Sequence, residues 1–373
     1  MEWLEGQSWA KLVAAEKLAA AAVAHAPQAA AAWQMLILSK KRLGKMAQAR
    51  EIVAQASAAI GEGIAERKAF FAALLKAEEY EAALAEGERL PPDDDVRTGM
   101  RQAALASNRL DPAQRRVLAD EDHTVNQAWS AAVTVEDLHR LVETCRATLV
   151  EYPIHSDARC IVAHALAKLG EDDAARAAMA LDKFLWTGTV AGDSAEARTA
   201  MAAELRQNPT LVPDPHNKST RDGLQAAKIG LPNEPAVQAL LARIKTAVEQ
   251  YRTAMESIDD PFITRAPRKA RLHPWAVIYG ASGRQTAHRH PAGWLSGVYY
   301  VSAPRTAEGY RGALLVGEPD KRLAKAAPWG VKRLEPVPGR LVLFPSFVTH
   351  ATEPCGADGE RISLAFDVIP AGT

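Results

Sequence analysis

The chain has 373 residues, enough for two domains with sizeable cores, and its 45 Lys plus Arg balance 45 Asp plus Glu to a formal charge of zero. That balance excludes the basic face of a nucleic-acid or anionic-membrane binder, and no run of about 18 apolar residues is present to span a bilayer. Cys145, Cys160 and Cys355 are scattered and form no CxxC pair, which argues for a reducing cytoplasm and against a disulfide framework or a thiolate zinc site.

LAAAAVAHA at residues 18–26 has the length of a signal-peptide core. Glu2, Glu5 and Glu16 precede it where a signal peptide carries positive charge, so it is expected to be an Ala-rich helix. The chain stays Ala-rich and helical in period to about residue 205. Within it, Pro27, Ala32, Leu36, Leu43, Gly44, Ala49 and Arg50 reappear 126 residues on as Pro153, Ala158, Val162, Leu169, Gly170, Ala175 and Arg176. Between the copies, Ala83 follows Ala49 by 34 residues. That period, with small residues where helices cross closely and Trp33 ahead of them, resembles the tetratricopeptide repeat. The resemblance predicts a stacked α-helical array over residues 1–185; a plain Ala-rich bundle is the alternative.

Residues 186–232 mix Gly, Pro and Asn without a sustained period and read as a linker and lead-in segment. A helix is predicted from Pro235, with Val237, Leu240, Leu241, Ile244, Val248, Tyr251 and Met255 on one face, expected to be core. Five strand candidates follow: WAVIYG, WLSGVYYVSA, GALLVGEP, GRLVLFPS and RISLAFDVI. Their Gly/Pro turns predict an antiparallel sandwich or barrel over residues 233–373.

Two motifs carry chemistry. In GRQTAHRHPAGWLSGVYYV, His288 and His290 flank Arg289, and an extended backbone sends both imidazoles to one side, where two nitrogen donors suit a first-row metal. In VPGRLVLFPSFVTHATEP, a turn and an apolar strand precede His350. Arg361 lies 11 residues beyond His350 and shares a strand face with Ser363 by period two. Lys321, Arg322 and Lys325 read as a solvated loop, and His25, His123, His139, His155, His164, His216 and His273 show no ligand spacing.

HxHPxxWLSGVYYV, followed about 60 residues later by PGxLVLFPSxxxH and RIS, resembles the 2-oxoglutarate and iron(II)-dependent oxygenases over roughly residues 205–373. The resemblance implies an α+β chain: the tetratricopeptide-like array, then a double-stranded β-helix, a jelly-roll-like fold. It implies Fe(II) as metal and 2-oxoglutarate as co-substrate. His288, His290 and His350 become the candidate metal ligands, and Arg361 the clamp on the far carboxylate of 2-oxoglutarate. Ser363, Tyr299 and Ser296 are candidate co-substrate contacts, and Trp294 a candidate substrate contact. One of the neighbouring Tyr299 and Tyr300 should face the pocket.

The family pattern places a carboxylate where this chain has His290. Three readings follow: an all-His site; a His290/His350 pair with Ala292 in the empty slot and His288 behind; or a carboxylate from elsewhere, such as Glu318 or Asp367. The helical array points to a protein or peptide substrate. Rival readings are a cupin-type dioxygenase or isomerase that does not use 2-oxoglutarate, and a non-catalytic repeat adaptor with a degenerate oxygenase fold. Cupins continue their first motif with a Glu that PAGWLSGV lacks, and they leave Arg361-x-Ser363 unexplained. Prime substrate and oligomeric state are not encoded in any motif.

Overall fold

The structure, a computed structural model, describes residues 1–3, 9–43, 45–77, 79–93, 95–97, 99–100, 103, 125–214, 219–320, 323, 326–356 and 359–371. It divides into two compact units, Gln7–Ala131 and a larger one formed by Met1–Gly6 with Ala132–Thr373.

The described part of Gln7–Ala131 contains α1 (Trp9–His25), α2 (Ala30–Arg42), α3 (Met46–Ala59), α4 (Ile64–Lys76), α5 (Tyr80–Gly87) and α6 (Val125–Ala131). Ala, Leu, Glu, Lys and Arg, the strongest helix formers, dominate these segments. Trp33, Leu36 and Ile37 of α2 share one face with the i, i+3, i+4 spacing of an apolar stripe, and join Phe70, Phe71 and Leu74 of α4 in the core. Ala49, Ala56, Ala77 and Ala83 are fully buried, so no side chain holds the helix backbones apart there. α2 packs on α1, α3 and α4, and α4 packs on α5. Gly44 of the repeat pattern, His123, His216 and the basic run Lys321, Arg322 and Lys325 lie outside the described residues.

The larger unit opens with β1 (Glu2–Trp3) and continues with α7 (Val135–Glu151), α8 (Ser156–Leu169), α9 (Asp172–Met179) and α10 (Leu181–Phe184). The sequence pattern carried the helical array to residue 185, but these helices belong to the compact unit that holds the sheets. α8 is buried on nearly every side, the mark of a helix inside a core. Its small residues read as a repeat because a close helix crossing and a close approach to loops select the same side chains. Gly170, aligned with Gly44 by sequence, is the left-handed C-cap of α8 at φ 85°.

The segment read as a linker is woven into the fold: β2 (Trp186–Thr189), α11 (Ala195–Arg206), β3 (Leu211–Pro213) and β4 (Thr220–Ala226). Such short strands leave no sustained local period, and β2 and β4 pair with the distant β11 and β5. Ser194 caps α11 by accepting from the Ala197 N–H. The predicted helix is α12 (Pro235–Met255), whose first turn is held by Glu204, accepting from the Ala236 and Val237 N–H groups at 3.0 Å each. α13 (Pro261–Thr264) leads into the remaining strands: β5 (Lys269–Gln285), β6 (Leu295–Ser302), β7 (Arg305–Thr306), β8 (Gly309–Tyr310), β9 (Leu314–Val316), β10 (Lys332–Leu334), β11 (Arg340–Pro345), β12 (His350–Thr352) and β13 (Arg361–Pro370).

The five predicted strands are present with shifted ends. GALLVGEP shrinks to β9 because Gly312 and Gly317 turn out of the strand at φ 80° and 95°. The main sheet runs β2-β11-β6-β13-β5-β4-β3, and a small sheet runs β10-β9-β12. β13 pairs antiparallel with β5 from Arg361↔Tyr279 to Pro370↔Ala270 and with β6 on its other side. Helices together with a two-sheet sandwich make this an α+β chain.

Candidate active site

The two sheets flank a partly open cavity lined by β5, β6, β11 and β13 on one side and by β9 and β12 on the other. Period two on β13 turns Arg361, Ser363 and Ala365 inward, and β12 contributes His350 and Thr352. His288 and His290 reach the same cavity from the segment after β5.

The backbone sets this convergence. His288 and His350 form a β-bridge, with their N–H and C=O groups exchanged at 3.0 and 2.8 Å. The His290 N–H donates to the Ser346 C=O at 3.0 Å. Arg289 points the other way, where its Nε and Nη2 meet Asp157 at 3.0 and 2.9 Å. Asp157 sits in the first turn of α8, and the same helix reaches the site's other loops. Ser156 donates to the Gly293 C=O, Cys160 contacts Thr349, and His164 Nε2 accepts from the Asp320 N–H.

His288, His290 and His350 offer ring nitrogens that all lie within 4.8 Å of one another. Each ring spends its Nδ1–H on a fixed acceptor: Thr286 C=O for His288, Asp367 Oδ2 for His290 and Val348 C=O for His350. Nε2 is left as the lone-pair donor in all three. Burial, then the nearby His290 ring, pushes the His288 imidazole down to about 4. Burial, then the His288 and His290 rings, holds His350 well below the imidazole range. Both are therefore neutral at pH 7, as ligation requires. Ser219 donates to His288 Nε2 at 3.2 Å, whereas His290 Nε2 is buried with no partner. An unpartnered buried ring nitrogen facing two neutral imidazoles fits a bound first-row cation.

Asp367 stands behind His290, accepting from its Nδ1 at 2.7 Å rather than joining the three nitrogens. Glu318 is not part of that group either.

Farther along β13, Arg361 is 2% exposed. Its Nη1 donates to the Gly312 C=O, its Cζ lies 4.7 Å from the Tyr279 ring centroid, and its Nε has no partner. Among the described residues, no carboxylate oxygen pairs with it. A buried guanidinium with a free edge is a receptor for a carboxylate.

Of the co-substrate candidates, Ser296 and Ser363 line the cavity, as does Tyr300, whose hydroxyl burial pushes up to about 12 and keeps neutral. Tyr299 is on the opposite face of β6, where its hydroxyl donates to Asp193. Trp294 is core: it is 1% exposed, donates from Nε1 to the Phe262 C=O at 2.8 Å and stacks on Phe262. The cavity residues missed by sequence reasoning include Trp275, stacked on His290 at 5.3 Å and 14°, together with Gln285, Phe344 and Thr352. Trp275 opened a predicted strand, and its period-two relation to Val277 was the available signal.

Residues 273–367 match the family model of the 2OG-Fe(II) oxygenases, a class whose cofactors are Fe(II) and 2-oxoglutarate. The match spans both histidine motifs and Arg361 and supports a 2-oxoglutarate-dependent oxygenase. Comparison with curated proteins finds no match. Among solved structures, the chain is similar to a Pseudomonas putida prolyl-4-hydroxylase at 21% identity, over 51% of this chain and 94% of that one, with TM-score 0.36. It is also similar to a Trichoplax adhaerens prolyl hydroxylase in complex with a hypoxia inducible factor peptide fragment, at 14% identity, 54% and 91% coverage and TM-score 0.36. A third is HygX from Streptomyces hygroscopicus with nickel and 2-oxoglutarate bound, at 13% identity, 50% and 83% coverage and TM-score 0.36. At such scores these similarities decide neither substrate nor reaction.

Proposed function

We propose that the chain is a 2-oxoglutarate- and Fe(II)-dependent dioxygenase that hydroxylates a protein or peptide substrate. The observation that carries this reading is one cavity holding three converging imidazoles and, on the same strand face as Ser363, a buried arginine without a carboxylate partner among the described residues. A metal site alone would explain the histidines. The free Arg361 edge calls in addition for an anionic small molecule, which favours 2-oxoglutarate over the cupin reading.

In this reading His288, His290 and His350 hold the iron through Nε2. Arg361 takes the far carboxylate of 2-oxoglutarate, with the Tyr300 and Ser363 hydroxyls beside it. Bound iron and 2-oxoglutarate supply the oxidising chemistry. The chain's own residues do the positioning. Asp157 and α8 anchor the His288–His290 turn from behind, and Phe344 packs edge-on against His350 at 4.8 Å. Trp275 and the apolar cavity wall exclude water.

Support for a peptide substrate comes from Gln7–Ala131. Its consecutive helices pack as pairs around buried alanines, the pattern that in a tetratricopeptide array makes an extended binding surface. The three cysteines are buried and unbridged, in keeping with a cytoplasmic setting. Among the described residues, no helix is long and apolar enough to cross a membrane.

Anaerobic addition of Fe(II) and 2-oxoglutarate is expected to produce the weak visible charge-transfer band of the chelate. If no band forms and His350→Ala leaves metal binding unchanged, the reading is wrong.

A further inference from the structure

Three imidazoles bind a divalent cation without neutralising any of its charge. A carboxylate stands directly behind one of them: Asp367, whose side chain is only 7% exposed. Its Oδ2 accepts from His290 Nδ1 at 2.7 Å, and its Oδ1 accepts from the Ser296 hydroxyl at 2.7 Å. Among the described residues, no Lys or Arg nitrogen pairs with it. A buried carboxylate without a counter-charge costs several kcal/mol, so a fold that used Asp367 only for packing would be expected to give it a cation. Among the described residues, the titratable group bonded to it is His290, whose Nε2 is buried and unpartnered on the far side of the ring.

We propose that Asp367 is a positioning residue: from behind His290 it supplies the negative charge that the all-imidazole set lacks, and it holds His290 as an Nε2 donor. This rests on the metal-site reading above and deepens it. The carboxylate that the resembled family places among the ligands is here moved one shell outward, in the carboxylate–histidine–metal arrangement.

Two features show that the arrangement is built. The first is a closed circuit of hydrogen bonds. The His290 N–H donates to the Ser346 C=O, Ser346 Oγ bonds Ser296 Oγ at 2.8 Å, Ser296 bonds Asp367, and Asp367 returns to the His290 ring. The second is Gly293, where a Cβ would come within 2.4 Å of Ser346 Oγ and 3.5 Å of the Asp367 Cβ, so the chain has no side chain where the circuit passes. Trp275 fixes the plane of the His290 ring by parallel stacking.

The test is Asp367→Asn in the full chain, which keeps the shape and an acceptor while removing the charge. Co(II) affinity is measured by chelator competition, and apo-protein melting is followed by circular dichroism. The expected result is a dissociation constant raised about 10- to 100-fold, with an apo melting temperature equal to or above wild type. In a His290→Ala background, Asp367→Asn should change the Co(II) constant less than about twofold, because its effect passes through that ring. A merely structural Asp367 would lower the apo melting temperature and leave the constant alone, and that result overturns the proposal. So does an undiminished effect of Asp367→Asn in the His290→Ala background. If Asp367→Asn does not fold, Ser296→Ala is read instead: a few-fold weaker Co(II) binding supports the proposal and an unchanged constant overturns it. Wild-type protein that binds no Co(II) sinks the metal-site reading itself, whereas equal binding by wild type and Asp367→Asn sinks only the role of Asp367.

Discussion

Replacing Arg361 by Met separates the co-substrate site from the metal site. Arg361 is buried, with Nη1 committed to the Gly312 C=O and Nε unpartnered, so its open edge presents two donors in the fork that matches a carboxylate. Removing one partner of a buried, hydrogen-bonded charge pair costs about 2–5 kcal/mol. An open two-donor edge in a 2%-exposed residue belongs near the middle of that range. About 3 kcal/mol at 1.4 kcal/mol per decade corresponds to a roughly 100-fold rise in the 2-oxoglutarate dissociation constant. The apo protein should melt within a few degrees of wild type, because two effects oppose each other. Relief of an unpaired buried charge is offset by the lost charged hydrogen bond to Gly312, worth about 1.5–3 kcal/mol. The assay is anaerobic calorimetry of 2-oxoglutarate binding to Mn(II)-loaded protein, with Mn(II) affinity measured separately. Equal loss of metal and 2-oxoglutarate affinity, or a 2-oxoglutarate constant within about threefold of wild type, would refute the reasoning and leave Arg361 a structural residue.

Further expectations concern the frame. Gly297→Ala would set a Cβ 2.3 Å from Phe366 Cζ and 2.8 Å from Leu343 Cδ2. Overpacking of that kind costs about 1–3 kcal/mol, visible as a lower melting temperature; an unchanged melt would contradict the packing of β6. At Asp260, burial alone would raise the carboxyl, but the Arg159 fork at 2.7 and 3.0 Å and the Phe262 N–H hold it below its ordinary value of 3.8. Its contribution to stability is therefore present above about pH 4 and lost as pH falls below that. Chemical denaturation between pH 5 and pH 3 should show wild type and Asp260→Asn converging toward the acid end; a constant gap would refute the pairing. Phe70 is 1% exposed, and Phe70→Ala should cost about 3–5 kcal/mol in the core of Gln7–Ala131. A loss under 1 kcal/mol would mean that the core is not packed as described.

Much of the chemistry was legible before any fold was known. His288, His290 and His350 were singled out by spacing, and Arg361 with Ser363 by period two; all five reach one cavity. Errors came where pattern is ambiguous. β6 is buried on both faces, so alternation does not tell Tyr299 from Tyr300, and only the second lines the cavity. Trp294 precedes that strand, and its place against Phe262 follows from a contact 32 residues away in sequence. The region beyond residue 131 read as repeat because α8 carries the small residues that any close packing demands.

The sequence by itself determined the kinds of donor, their order along the chain, and the turns and periods that build strands, since these depend on residue type and near neighbours. Tertiary structure alone decided which faces close on the cavity, that α8 braces the histidine turn, and that Asp367 stands behind His290 across 77 residues. The physical reason is that a side chain's identity and its neighbours along the chain set its local conformation, whereas its partner in space depends on strand register. β13 brings Arg361 into the cavity and Asp367 behind His290 only once it has paired with β5 and β6.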